Sequence, residues 1–139
     1  MSTDPIEKIK ARATGMRKAR DEILRRVSFR LVEIGFTKER GGYFRRRFGD
    51  RMCDLWFDKK SSGHSVGVLS RTTALDGTGY ILGPYCGAHG WPEPANGKRY
   101  QFEWSTRETD IARSANEYWA FVKEVLLPWF NQQLLSDQT

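Results

Sequence analysis

A chain of 139 residues with 13% aromatics and 29% charged residues fits one folded domain, able to bury about two thirds of its unfolded surface without disulfides or metals. No stretch approaches the ~18 apolar residues that cross a bilayer, the N-terminus lacks the apolar core of a signal peptide, and two cysteines make no disulfide framework. The net charge of +6 is uneven: residues 1 to 51 hold 15 Lys and Arg against 7 Asp and Glu, while the remainder holds 8 against 10.

These features predict a cytoplasmic protein with no membrane partner, whose basic front half offers either a solvated helix face or an attraction for an anionic partner.

The segment from Thr3 to Phe36 opens with helix-start residues: Thr3 or Asp4 as cap, Pro5 in the first turn, Glu7 toward the dipole. Ile6, Ile9, Ala13, Met16, Ile23, Val27, Leu31 and Ile34 recur at helical spacing, and Gly35 stands where a left-handed cap ends a helix. The spacing predicts a helix from Pro5 to Ile34, about 45 Å long at 1.5 Å per residue. Gly15 weakens it and Arg20 interrupts its stripe. Residues 1–15 are therefore expected to project or fray, with residues 16–135 forming a single domain and 136–139 a flexible end. Phe29 and Val32 lie off the stripe, and a covering partner helix is expected over them.

The period then changes to two. Tyr43 to Phe48 and Arg51 to Asp58 read as strands joined by Gly49-Asp50, a two-residue hairpin turn. His64 to Ser70, a stretch around Ile81, and Tyr100 to Thr106 are further candidate strands. The segment from Cys86 to Arg99 is the longest irregular connection and carries Trp91. Helical period returns after Thr106. Thr109 or Asp110 is expected to cap, Ile111, Ala115, Tyr118, Val122, Val125 and Trp129 form a stripe, and Pro128 should kink the helix. Helix, strands, helix predicts an α+β fold: a long N-terminal helix, an antiparallel meander of four or five strands, and a kinked C-terminal helix.

If Gly49-Asp50 is the turn, Arg45 faces Asp54, Arg46 faces Cys53, Arg47 faces Met52 and Tyr43 faces Trp56. Phe44, Cys53, Leu55 and Phe57 then share a core face, while Tyr43, Arg45, Arg47 and Trp56 share the other. Those four, with Trp91 in the long loop, are the candidate partner-binding residues, by aromatic stacking and charge. The competing reading is cross-strand stabilisation, a Tyr43–Trp56 pair beside an Arg45–Asp54 ion pair. Arg17, Lys18, Arg25 and Arg26 on the first helix are candidate nucleic-acid contacts.

Cys86-x-x-His89 has a metal-ligand spacing, with Cys53 and His64 as remaining candidates, but Cys53 lies mid-strand facing the core, so no metal is expected. A hydrolase built on Cys86 and His89, with Asp76 or Glu93 as orienting acid, lacks any spacing that brings these loops together. The glycines of Leu75 to Tyr80 lack the Lys and the strand-loop-helix context of a phosphate loop. No catalytic residue and no cofactor are expected.

Gly35-Phe36, Tyr43 or Phe44 with Arg45 or Arg46, Lys59-Lys60-Ser61 and the Leu127-Pro128-Trp129 ending together resemble the small bacterial proteins grouped as domain of unknown function 4304. Asp58 stands where glutamine is more usual in that family, and the Gly-rich region after Ser70 departs from it. The resemblance implies an α+β fold without agreed catalytic residues and, by analogy, a protein-binding role of the immunity kind. Protein binding without catalysis is thus the leading expectation, nucleic-acid binding the alternative, and hydrolysis the third.

Overall fold

The computed structural model describes residues 4–59, 66–87, 94 and 96–137. The first helix, α1 (Pro5–Glu33), starts as its residues dictate: the Asp4 carboxylate accepts the Ile6 amide at 3.0 Å, and Pro5 occupies the first turn. It ends on Gly35 at φ 99°, where the Gly35 amide donates to the Val32 carbonyl and the Phe36 amide to the Leu31 carbonyl. That doubled closure needs the left-handed conformation that glycine adopts without strain. It also swings Phe36 into the core.

The helix runs unbroken through Gly15, and its first buried residue is Ala19. Gly15 has a packing reason. A Cβ there would sit 3.1 Å from Thr106 Cγ2, and the neighbouring Trp104 indole donates to the Met16 carbonyl at 3.2 Å. The segment before the second helix therefore crosses α1 at the one position without a side chain. Ile23, Leu24, Val27 and Leu31 face the core. Phe29 and Val32 do not; at 63% and 55% exposure they lack the cover expected for them, and Phe29 instead borders a hollow left between this helix and the second.

Five strands follow in a simple antiparallel meander: β1 (Thr37–Lys38), β2 (Tyr43–Phe48), β3 (Arg51–Lys59), β4 (Val66–Ala74) and β5 (Tyr80–Leu82), ordered in space as in sequence. The β2–β3 register pairs Tyr43 with Trp56, Arg45 with Asp54 and Arg46 with Cys53, as a two-residue turn at Gly49-Asp50 requires. β4 continues four residues past Ser70. Ser70 and Thr72 keep the inward alternation although polar, because the Ser70 hydroxyl donates to the Pro84 carbonyl and the Thr72 hydroxyl accepts from Arg51 Nε. The expected strand at Tyr100–Thr106 does not join the sheet.

Tyr100, Phe102 and Trp104 do alternate inward, all buried, but the backbone between them is served by a helix. Arg113 donates to the Gln101 and Glu103 carbonyls at 2.9 and 2.6 Å, and Ser114 to the Phe102 carbonyl at 2.7 Å. These donors come from α2 (Glu108–Phe121). Its start is held by Ser105, which accepts from the Arg107 amide and donates to the Asp110 carboxylate, rather than by a cap at Thr109 or Asp110.

The interruption expected at Pro128 appears as a π-helical turn, Val122–Leu126, leading into α3 (Leu127–Asp137). Pro128 has no amide for the Glu124 carbonyl, and widening the preceding turn lets Leu127 donate to Val122 instead. The extra residue shifts the stripe by one position. Leu126 and Phe130 become fully buried, while Val125 and Trp129 are left partly exposed.

All three α-helices pack on one face of the sheet, over Phe44, Phe48, Cys53, Leu55, Val66 and Val68. Phe130 meets the rings of Phe36 and Phe48, and the Tyr118 hydroxyl donates to the Val66 carbonyl at 2.8 Å. The result is a two-layer α+β fold, and among the described residues no helix covers the outer sheet face. No helix among them is long and apolar enough to cross a membrane.

Candidate binding surface

The outer face takes every second residue of the three central strands. Across them run two rows: Tyr43, Trp56 and Leu69, and beside it Arg45, Asp54 and Arg71. Asp54 has no exposed surface although it lies on the open side of the sheet. Arg45 grips it through Nε at 2.8 Å and a terminal nitrogen at 3.2 Å, and Arg71 Nε meets its second oxygen at 2.9 Å. The two guanidinium groups in turn lie over aromatic rings. Arg45 is 5.2 Å from the Tyr43 ring centre, and Arg71 is 5.5 Å from that of Trp56 and 5.9 Å from that of Tyr43. One carboxylate thus fixes two arginines, and the arginines hold two rings in place. Its hydrogen bond to Asp54 raises the Arg45 pKa further above its ordinary value.

Tyr43, Trp56, Arg71 and Gly41 line a depression of about 210 Å³ that opens to solvent. On the far side of Arg71 the face continues through β5, where Leu82 pairs with Arg71 and Tyr80 with Thr73. Such a surface can stack a planar group on Tyr43 or Trp56 and offer it the outer edge of a guanidinium.

The structure thus unites Tyr43, Arg45 and Trp56, and adds Arg71, which the sequence reading missed by ending β4 at Ser70. Continuing the Val66, Val68, Ser70 alternation to Thr72 would have placed Arg71 outward. Arg47 is on the same face but turned to the hairpin, its Nε donating to the Gly49 carbonyl at 2.7 Å. Arg46 lies on the core side over the Phe48 ring, 4.3 Å from its centre. Trp91, His64 and His89 lie outside the described residues.

On α1, Arg25 and Arg26 are engaged with acids. Both bond Glu22, and Arg26 also reaches Glu108 of α2 at 2.7 Å. Hydrogen bonds from these arginines hold the Glu22 carboxyl down at about 2. Arg17 bonds Thr14, and Lys18 is exposed. A larger hollow of about 570 Å³ lies between α1 and α2, walled by Arg25, Arg26, Phe29, Arg30 and Glu33, where Arg30 also stacks on Trp119.

Cys53 and Cys86 are both buried thiols, pushed up by desolvation to about 12 and about 11, far from the range of a reactive thiolate. No family model matches the chain, and neither a curated protein nor a solved structure matches it.

Proposed function

We propose that this chain is a non-catalytic protein-binding module whose recognition surface is the outer sheet face around Tyr43, Arg45, Trp56 and Arg71. The carrying observation is the Asp54-centred cluster: two rings and two arginines held in one geometry on a sheet face that no helix covers among the described residues. Tyr, Trp and Arg are the side chains that dominate interface energetics, and fixing them beforehand lowers the entropy lost on association. A partner presenting an acidic or aromatic group to this face is the chemistry that fits. An immunity-like role, in which that partner is a toxin, is the form of binding that the family resemblance implies.

A photo-crosslinking residue placed at Trp56, in cells that express the protein natively, tests this reading against the same residue placed at Asn116 on α2. The expected result is one discrete adduct from position 56, lost when Arg71 is changed to Gln in a chain whose circular dichroism is unaltered. Equal adducts from both positions, or none from 56, would overturn it.

Nucleic-acid binding remains the second reading, because Lys8, Lys10, Arg12 and Lys18 of α1 are exposed on the part of the helix before the core begins. It requires affinity for an oligonucleotide that falls steeply with salt.

A further inference from the structure

The two edges of the sheet are built differently. β1 is only two residues long and ends in Lys38, a short charged edge of the kind that blocks further strand pairing. β5 carries no charge. Its Tyr80, Ile81 and Leu82 are 66%, 45% and 67% exposed, with Leu75 and Tyr85 exposed on either side.

The hydrogen-bond phase of β5 is set by its neighbour. The Ala74 amide donates to the Gly79 carbonyl at 3.4 Å and the Gly83 amide to the Ser70 carbonyl at 2.9 Å, with Thr72 opposite Ile81 midway between. In an antiparallel ladder bonded pairs alternate with unbonded ones, so Ile81 turns its amide and carbonyl toward β4. The amides and carbonyls of Tyr80 and Leu82 therefore point to the open edge. Two residues on, Pro84 has no amide to offer, and the run of outward donors stops there.

We propose that β5 is a self-association edge, at which a second copy of this chain pairs its own β5 antiparallel about a two-fold axis passing between the two Ile81 residues. In that register Tyr80 of each copy faces Leu82 of the other and exchanges both backbone bonds with it, so every outward group of the strand is used. The two Ile81 side chains meet as the closer, unbonded pair. The short, uncharged, self-complementary edge fits its own copy: no like charges meet on the axis, and a longer foreign strand would find no donor at Pro84. Because the axis stands perpendicular to the sheet, the outer faces of both copies merge into one continuous surface. A contact resting on a three-residue ladder and a few side chains lies at the small end of specific interfaces, so the dimer is reversible.

Sedimentation velocity on the full chain, from about 1 µM to about 1 mM, the weak end of protein association, tests this. The expected result is a mass rising from 16.1 kDa toward twice that value. Ile81→Lys puts like charges on the axis. Leu82→Pro removes an outward amide together with the leucine side chain, and no β4–β5 bond uses that amide. Each should move the midpoint of dimerisation to a concentration at least about tenfold higher, the equivalent of about 1.4 kcal/mol, with circular dichroism unchanged. A monomer at every concentration would overturn the proposal, and so would a dimer indifferent to both variants. Trp56→Ala should leave dimerisation unaltered, so that failure of this edge and failure of the outer-face reading are told apart.

Discussion

Asp54 shows how a carboxylate comes to be buried on the open side of a sheet: the side chains it binds become its cover. Arg45, Arg71 and the rings beneath them exclude water from an acid that no helix reaches among the described residues. Replacing Asp54 with Ala leaves two arginines side by side without their shared acceptor. Hydrogen bonds to charged groups contribute about 1.5 to 3 kcal/mol each, reduced here because both arginines are about a third exposed. Asp54→Ala is therefore expected to cost about 2 kcal/mol in urea unfolding. Arg47→Ala, which loses only a turn contact, should cost less than about 0.5 kcal/mol.

Acid acts on a second carboxylate. Glu22 is held at about 2 against an ordinary 4.5, so its contribution is complete above about pH 4.5 and is lost as pH falls toward 2. Wild type should lose more of its urea midpoint across that window than Glu22→Gln does. Equal losses would show that the Arg25 and Arg26 contacts do not persist in solution. The Arg45–Asp54 pairing was legible in the sequence because a two-residue turn leaves one register. The role of Arg71 was not, because the polar Ser70 and Thr72 disguise the inward side of β4.

The elements differ in how far local pattern determines them. α1 carries its own start and stop signals and forms where they lie. The segment around Phe102 has the alternation of a strand yet pairs with none, because Arg113 and Ser114 of α2 already occupy three successive carbonyls. Alternation reports which side chains are buried; it does not report who accepts the backbone bonds. Arg113→Ala should thus cost about 1 to 2 kcal/mol in chemical unfolding by releasing two carbonyls. Arg113→Lys, lacking the planar fork, should recover less than half of that loss. The C-terminal helix teaches the same lesson through phase. Reading a stripe to Trp129 assumes 3.6 residues per turn throughout, and the wide turn before Pro128 moves burial to Leu126 and Phe130.

For the whole molecule, the surplus of charge in the first 51 residues is dispersed rather than gathered in one patch. Part sits in the Glu22 network, part on the outer sheet face and part on the turns of α1 that precede the core, while Arg46 and Arg51 lie on the inner side of the sheet. None of residues 5–12 is buried or half-buried. Removing residues 1–12 should therefore change unfolding free energy by less than about 1 kcal/mol while abolishing most of any low-salt affinity for an oligonucleotide. Thermal melts and fluorescence polarisation of the shortened chain check the two halves of that expectation. A large loss of stability would mean that the projecting turns are held by contacts beyond their exposed surface.

Sequence alone determined the class, the ends of α1 and the hairpin register, since each depends on neighbours a few residues away: a cap, a glycine, a two-residue turn, a period. Tertiary structure decided what depends on distant partners. It placed the Phe102 segment against α2 rather than in the sheet, bound Arg71 to the same carboxylate as Arg45, and left β5 as an uncharged edge that no further strand joins among the described residues. The reason is common to all three. A backbone or charged group settles where its hydrogen bonds are best completed, and the residues that complete them here come from other elements of the chain.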